Sequence, residues 1–237
     1  KDSLRSNTTG SQNVAVGNAS LELNTTANYN TAIGDFALYN NTTGANNTAV
    51  GKDALLTNST GANNVAFGYN ALDANTTASN NTAIGYQALL YNTVGTENVA
   101  VGHEAMITNV DGSQSTAIGF QALYYQEPAS AVDMNNTAVG YYAGRTISTG
   151  ANNTLVGANT GDAITTGFDN VAMGRSALTT EDTGRKNVAI GSSALEVQNS
   201  DVDNYNVAVG FEAGKAVTTG VGNTFVGAHA GDTTDDG

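Results

Sequence analysis

The chain has 237 residues and a formal net charge of −13, with only 12% charged residues, one proline and no cysteine. The absence of cysteine excludes a disulfide scaffold and cysteine-ligated zinc. Eight Lys and Arg against 21 Asp and Glu argue against nucleic acid as a partner, and no apolar run approaches the roughly 20 residues that membrane insertion needs.

One motif, Asn-(Thr/Val)-Ala-(Val/Ile)-Gly-x-x-Ala-Leu, recurs along the chain, and we call its glycine the anchor glycine. Successive anchor glycines lie 17 residues apart, except for one interval of 21 and one of 19. They are Gly17, Gly34, Gly51, Gly68, Gly85, Gly102, Gly119, Gly140, Gly157, Gly174, Gly191, Gly210 and Gly227. The thirteen copies predict a single repeat domain over residues 1–237, with loop insertions near 124–135 and 197–205.

Each copy starts with a segment that alternates like a strand, as in "NTAIG" at residues 30–34. Thr31 and Ile33 point to one side and Ala32 to the other, so both faces are apolar and we expect both to be buried. The pair Ala37 and Leu38 predicts a second short strand after a tight turn, and a polar turn then closes the coil. The expected fold is an all-β parallel β-solenoid, or β-roll, of about thirteen 17-residue coils.

Stacked coils place equivalent residues in rows. An Asn four residues before the anchor glycine occurs in every copy but one, which has Ser115, and we expect these side chains to form a hydrogen-bonded ladder. The ladder includes Asn30, Asn47, Asn64 and Asn81. The glycine row, including Gly34, Gly51, Gly68 and Gly85, indicates a position with positive φ or close backbone approach.

The residue before the anchor glycine is apolar in every copy. We call these residues the seam row, and they include Val16, Ile33, Val50, Phe67, Ile84, Val101 and Ile118. If the strand alanines face inward, the seam row forms an exposed apolar stripe that self-association would bury, and a side-by-side homotrimer is expected. The converse packing, with Val, Ile and Leu inside and Ala on a flat outer face, would permit a monomer.

Five aromatic residues directly follow an anchor glycine: Tyr69, Tyr86, Phe120, Tyr141 and Phe211. As exposed rings they would suit a glycan or protein ligand, and as packed rings they would only cover the turn.

Metal and catalytic sites find little support in the sequence. Asp201 and Asp203 in the second insertion, or the acidic end from Asp232, could offer oxygens to Ca²⁺, although a solvated polar loop is favoured. His103 and His229 could each be a metal ligand or a general base, or could simply occupy variable surface turn positions. The second interpretation is favoured. We therefore predict no enzyme and no cofactor other than this possible Ca²⁺.

The tandem motif in "NNTAIGYQALLYNTVG", residues 80–95, resembles the head repeats of trimeric autotransporter adhesins and, more closely, the repeats of phage tail-fibre-like proteins. The resemblance covers nearly the whole chain and implies a left-handed β-roll, three chains about a common axis, and presentation on a cell surface or virion. The adhesin heads have a shorter repeat, so each coil here needs an additional turn.

These patterns predict a non-enzymatic structural and adhesive rod within an extracellular trimeric fibre, presenting a surface to a host glycan or protein. One alternative is an ice-binding solenoid, which also uses flat ladders rich in Thr and Ala, although Thr alternates irregularly with Val here. A carbohydrate-active tailspike would need an acidic pair in a groove. A filament-forming surface protein would stack its coils end to end between molecules.

Overall fold

Each coil contributes one three-residue strand, centred two residues before its anchor glycine, in the computed structural model, which describes residues 2–232. The chain divides into two compact units, one of Lys1–Gln114 with Pro128–Val132 and the other of Ser115–Glu127 with Asp133–Gly237. The first unit contains β1 Val14–Val16, β2 Thr31–Ile33, β3 Thr48–Val50, β4 Val65–Phe67, β5 Thr82–Ile84 and β6 Val99–Val101. The second contains β7 Thr116–Ile118, β8 Thr137–Val139, β9 Thr154–Val156, β10 Val171–Met173, β11 Val188–Ile190, β12 Val207–Val209 and β13 Thr224–Val226.

Within each unit the strands pair in parallel and in chain order, with equivalent repeat positions opposite one another. Ala32 lies opposite Ala49 in the first unit, and Ala189 lies opposite Ala208 in the second, across the longer interval. Because the register follows the repeat, both insertions leave the strand pairing unchanged. The predicted all-β parallel solenoid of 17-residue coils is confirmed.

Each strand ends at the anchor glycine, because this glycine adopts a backbone conformation that residues with a side chain rarely adopt. The anchor glycines of the described chain have φ between +122° and +147°, a region that L side chains rarely adopt. At Gly68, a Cβ would also overlap the carbonyl group of Gly85 in the next coil. The glycine therefore supplies both the corner of the coil and the close approach of successive coils.

The predicted second strand at Ala37 and Leu38 is wrong. The segment after the anchor glycine forms turns, with positive φ at Phe36 and Leu38. The N–H of Phe36 donates to Asn18 O of the preceding coil at 2.9 Å, while the N–H of Leu38 donates to Ala54 O of the following coil at 3.0 Å. Backbone hydrogen bonds between neighbouring coils therefore continue through this turn, although it forms no strand.

This turn path allows two consecutive side chains to point inward. Ala37 and Leu38 are both fully buried, whereas successive residues of a strand point to opposite faces. A left-handed leucine costs roughly 1–2 kcal/mol. Complete burial of its side chain contributes about 1.5–3 kcal/mol and offsets that cost.

In most coils of the first unit the core is narrow and consists mainly of one strand alanine, one turn alanine and one turn leucine. In the coil of Gly34 these are Ala32, Ala37 and Leu38, which have no exposed surface. Several later coils have glycine at the leucine position, including Gly144 and Gly161.

The lost leucine volume is replaced from neighbouring positions in the second unit. A Cβ on Gly161 would lie 2.8 Å from Ile164 Cδ1 and 2.9 Å from Leu155 Cδ2. Leu155 stands where most strands have alanine, and Ile164 stands where the first unit has asparagine. The core is therefore repacked at nearly constant volume, the type of change that cores tolerate best.

The two insertions add irregular loops. Val132, in the first insertion, accepts a hydrogen bond from Ser113 N at 3.0 Å within the first unit. Asp203, in the second insertion, forms an isolated parallel bridge with Arg185. The prediction of a single domain over residues 1–237 stays a prediction.

We predict that Gly68→Ala lowers the free energy of unfolding by about 3 kcal/mol or more, because the methyl group both strains φ and collides with the next coil. Gly227→Ala is the matched control, since Gly227 also has positive φ but a Cβ there would contact nothing within 4 Å. Urea unfolding measures both variants. Equal losses in the two would show that close coil approach contributes nothing.

Candidate functional site

The seam row lies on the outer surface of the sheet. In the first unit Val16, Ile33, Phe67 and Ile84 are between 39% and 56% exposed. Val50 and Val101 are partly exposed, and in the second unit Ile118 is 39% exposed. The strand alanines point inward, so the alternative packing with Val and Ile inside is wrong. Of the motif residues that this alternative packing places inside, only leucine, as at Leu38, is buried. Burial of the outer strand face, which the expected homotrimer would provide, stays a prediction.

A second outer row accompanies the seam row on the same face, at the first residue of each strand. In β2 to β6 it contains Thr or Val, and these side chains are partly buried. Its members in these strands are Thr31, Thr48, Val65, Thr82 and Val99. Each unit therefore presents a face of apolar and β-branched side chains at strand spacing.

The predicted asparagine ladder occupies one inner corner of the coil. Asn47 donates its backbone N–H to Asn30 Oδ1 of the preceding coil at 2.9 Å, and its Nδ2 donates to Gly61 O of the following coil at 2.8 Å. Asn30, Asn47, Asn64 and Asn81 are all fully buried. Each side chain thus connects two neighbouring coils and pairs buried backbone groups that would otherwise be costly to desolvate.

A second amide ladder, which the sequence reasoning missed, lies seven residues after the anchor glycine in the first unit. Each Nδ2 donates to the Oδ1 of the preceding coil over 2.8–3.3 Å and to the carbonyl oxygen three residues ahead. Its buried members are Asn24, Asn41, Asn58, Asn75, Asn92 and Asn109. The signal was the asparagine that opens each turn, as "N-x-x-G" in four coils and "N-x-x-A" in two, which was interpreted only as part of a polar loop.

A buried carboxylate replaces this asparagine in one coil of the second unit. Glu181 Oε1 accepts from Gly184 N at 2.8 Å and Ser200 N at 3.3 Å. Its Oε2 accepts from Asn204 Nδ2 at 2.9 Å and Gln198 Nε2 at 3.2 Å. Burial raises the pKa of Glu181, and these donors oppose that shift. The group is structural, because it holds the second insertion against the coil.

The predicted aromatic residues form short columns. In the first unit Tyr86 stacks on Tyr69 at 5.6 Å between ring centroids and on His103 at 4.9 Å, with interplanar angles of 11° and 20°. These rings cover one another's faces and leave mainly edges to solvent. Glycan stacking needs an open ring face, so this column is poorly suited to it.

The remaining three predicted aromatic residues lie in the second unit. Phe120 stacks on Tyr141 at 5.4 Å, and Phe211 packs edge-on against His229 at 5.3 Å. His229 also lies 3.3 Å from Glu212 and 3.2 Å from Asp232. Neither histidine lies in a group of three or more side chains that could hold a metal ion within residues 2–232.

The predicted calcium ligands are engaged by protein groups. Asp203 pairs with Lys186 Nζ at 2.7 Å and with Arg185 Nε at 3.4 Å, and Lys186 holds the pKa of Asp203 below its usual range. Asp201 accepts a hydrogen bond from Thr183 Oγ1 at 2.6 Å. Most of the acidic end, residues 233–237, lies outside the described residues. Because Lys186 and Arg185 already neutralise Asp203, this loop is a poor site for Ca²⁺.

One titratable pair in the first unit has a perturbed carboxyl group. Burial, followed by the charge of Asp53, raises the pKa of Asp73 to about 6. Asp53 also lies 3.3 Å from Lys52 Nζ. No pocket opens beside this pair or elsewhere on the described surface, and no helix long and apolar enough to cross a membrane occurs in the described part of the chain.

We predict that Asn58→Ala destabilises the fold by about 2–3 kcal/mol, because Asn41 Oδ1 loses its donor, Gly61 O loses one of its two donors and Asn75 Nδ2 loses one of its two acceptors. Asn40→Ala is the control, since that side chain is partly buried but forms no hydrogen bond within residues 2–232. Its expected change stays within about 0.5 kcal/mol. Urea unfolding measures both, and similar values for the two would contradict a stabilising ladder.

We predict that Asp73→Asn becomes progressively more stable than the wild type between pH 3.8 and about 6. The folded wild type holds its proton more tightly than the unfolded chain, so its stability falls as the pH rises through this window. At about pH 7 the gain should be about 1 kcal/mol, after discounting for the half-exposed position. Thermal unfolding against pH measures it, with the exposed Asp35→Asn as control, and a gain that persists below pH 3.8 would contradict the cause.

Comparisons of the chain with protein-family models, with curated proteins and with solved structures found no match. The functional argument therefore rests on the coils themselves. Their described residues combine an outer apolar row, two inner amide ladders and a set of aromatic turns.

Proposed function

We propose that this chain is a non-enzymatic structural and adhesive rod segment of a trimeric surface fibre or phage tail fibre. In this proposal the solenoid is left-handed, and three copies lie side by side with their seam rows facing a common axis. The fibre is extracellular, on a cell surface or virion, and its partner besides itself is a host-surface glycan or protein. Extension, stiffness and presentation of a binding surface are its functions.

The exposed seam row is the observation that carries the proposal. Soluble monomers rarely expose contiguous apolar patches larger than a few hundred Å². The first unit alone exposes Val16, Ile33, Phe67 and Ile84 in successive or near-successive coils, with Thr and Val beside them. Association along this face would bury the whole row, at a gain of roughly 25 cal/mol per Å² of apolar surface.

The interior of the coils supports a stiffening role. Successive coils within the first unit are joined by strand pairing, by turn hydrogen bonds and by both amide ladders, as between Asn30 and Asn47 and between Asn41 and Asn58. Local opening of one coil would break several buried hydrogen bonds in both neighbours. Rigidity and resistance to proteases are expected from such contacts.

Ice binding is a second candidate, favoured by the outer face on which Thr31, Thr48 and Thr82 occupy equivalent positions of parallel strands. The row is irregular, because Val65 and Val99 interrupt it. Ice recognition would gain from a regular array of hydroxyl groups, and the apolar seam row beside it is better explained by burial in an oligomer.

We predict a solution mass by light scattering close to three times the 24.0 kDa of one chain. Ile84→Glu should reduce it to one chain, because three carboxylates would meet near the axis without partners. Val94→Glu is the control, a turn residue that is similarly exposed, 42% against 39% for Ile84. It should stay trimeric.

A wild-type monomer would overturn the trimeric fibre. A monomer that also lowers the freezing point of water below its melting point would favour ice binding instead.

A further inference from the structure

Five residues of the second unit form an aromatic cluster around one arginine, which we call the Arg145 cluster: Tyr124, Tyr125, Tyr141, Tyr142 and Arg145. The Arg145 guanidinium carbon lies 4.8 Å from the ring centroid of Tyr142, 5.6 Å from that of Tyr125 and 5.7 Å from that of Tyr124. Tyr141 packs on Tyr142 at 4.0 Å between centroids. These residues belong to the turns that follow Gly119 and Gly140, and Tyr124 and Tyr125 lie at the start of the first insertion.

The charge of Arg145 is uncompensated by any ion pair, which is unusual in a chain of net charge −13. Lys52, Lys186 and Lys215 all pair with carboxylates. Within residues 2–232 no carboxylate forms an ion pair with Arg145. Burial raises the pKa of Asp162, and the charge of Arg145 only partly opposes that rise; Asp162 Oδ1 accepts a hydrogen bond from Thr179 Oγ1 at 2.5 Å.

The Arg145 guanidinium is held in place by a side-chain amide and by tyrosine rings instead of a carboxylate. Its Nε donates to Gln121 Oε1 at 3.1 Å, which uses one of its five N–H donors. Tyr rings surround it and reduce its contact with water, which strengthens any charge-assisted hydrogen bond that it makes. The fork of the remaining donors matches a carboxylate, which can accept two parallel hydrogen bonds.

We propose that the Arg145 cluster binds the carboxylate of an acidic sugar within an otherwise neutral glycan. Tyr125 is 45% exposed and packs edge-on against Tyr124, so it offers aromatic surface to the apolar C–H face of a sugar ring. No pocket opens on the described surface, which suits an extended chain lying across it more than a small ligand enclosed by it.

The overall acidity of the chain refines the ligand class. A densely charged polyanion would be repelled by the net charge of −13, whereas a single carboxylate within a Debye length of Arg145, about 8 Å at physiological ionic strength, would meet a local positive charge. An acidic protein segment shares the carboxylate but lacks the stacking sugar face. The site deepens the proposed function, since an adhesive rod needs a surface that recognises its receptor, but it does not require the trimer.

The test uses isothermal titration calorimetry with two acidic probes and their neutral counterparts. These are a xylo-oligosaccharide that carries one glucuronic acid against the unsubstituted xylo-oligosaccharide, and sialyllactose against lactose. We expect at least one acidic probe to bind about tenfold or more tightly than its neutral counterpart, as a charge-assisted hydrogen bond predicts. An oligoglutamate peptide should bind at least about tenfold more weakly than that probe.

Arg145→Gln should weaken binding of the acidic probe about tenfold or more and remove its preference over the neutral one. Arg175→Gln is the matched control, because Arg175 is exposed and also forms no ion pair within the described residues, yet no aromatic ring holds it. It should bind like the wild type. Tyr125→Ala should weaken both the acidic and the neutral probe, and thermal unfolding of each variant confirms that it is folded.

Four outcomes overturn the proposal: neither acidic probe binds at millimolar concentration, acidic and neutral probes bind equally, folded Arg145→Gln binds like the wild type, or oligoglutamate binds as tightly as the sugars. The last outcome would assign the cluster to an acidic protein partner. Light scattering on the same samples keeps the two proposals apart, because a trimer that binds no acidic probe rejects only this site, and a monomer that binds one rejects only the trimer.

Discussion

The close stacking of coils in strict register is the constraint on which the rest of each unit depends. A side chain at an anchor position such as Gly68 would overlap the backbone of the next coil, so the approach distance requires glycine. Once that register is set, any residue type that recurs with the repeat becomes a continuous row. The amide ladders, the buried alanines and leucines, and the apolar seam row are all consequences of this one geometric condition.

The narrow interior combines apolar and amide rows, and the amide rows determine how strongly neighbouring coils are coupled. Asn58 contacts both Asn41 and Asn75, so each amide is donor to one neighbour and acceptor from the other. The second unit replaces several of these amides by Ile147, Ile164 and other residues while glycine takes the leucine position. Apolar volume and hydrogen bonding are thus exchanged at different places along the chain, while the backbone path is kept. The outward turns remain free to vary, and the Arg145 cluster is built from them.

Several features followed from the repeat alone because they depend on period and residue size. The interval between Gly34 and Gly51, the alternation around Ala32 and the asparagine four residues before the glycine were enough to predict coils, parallel pairing and one ladder. The second strand was predicted wrongly because the pair Ala37 and Leu38 was judged by its hydrophobicity. Two consecutive side chains can both point into so thin a coil only because φ is positive at every second residue, as at Phe36 and Leu38. Leucine rarely adopts positive φ, so its usual conformational preferences do not predict this turn. The ladder of Asn58 was missed for a related reason, since turn asparagines are usually solvated.

The sequence by itself determined the architecture, because a fixed period of 17 residues with glycine at one position and alanine at another leaves few ways to stack coils. Only the tertiary structure decided which strand face is inside, since Ala32 and Ile33 are both apolar and hydropathy does not distinguish them. It also decided which aromatic rings are available. Tyr69 and Tyr86 cover each other, whereas Tyr124 and Tyr125 pack against Arg145 of the next coil. Contacts of that kind join residues about twenty positions apart, and they depend on the path of the turns between them.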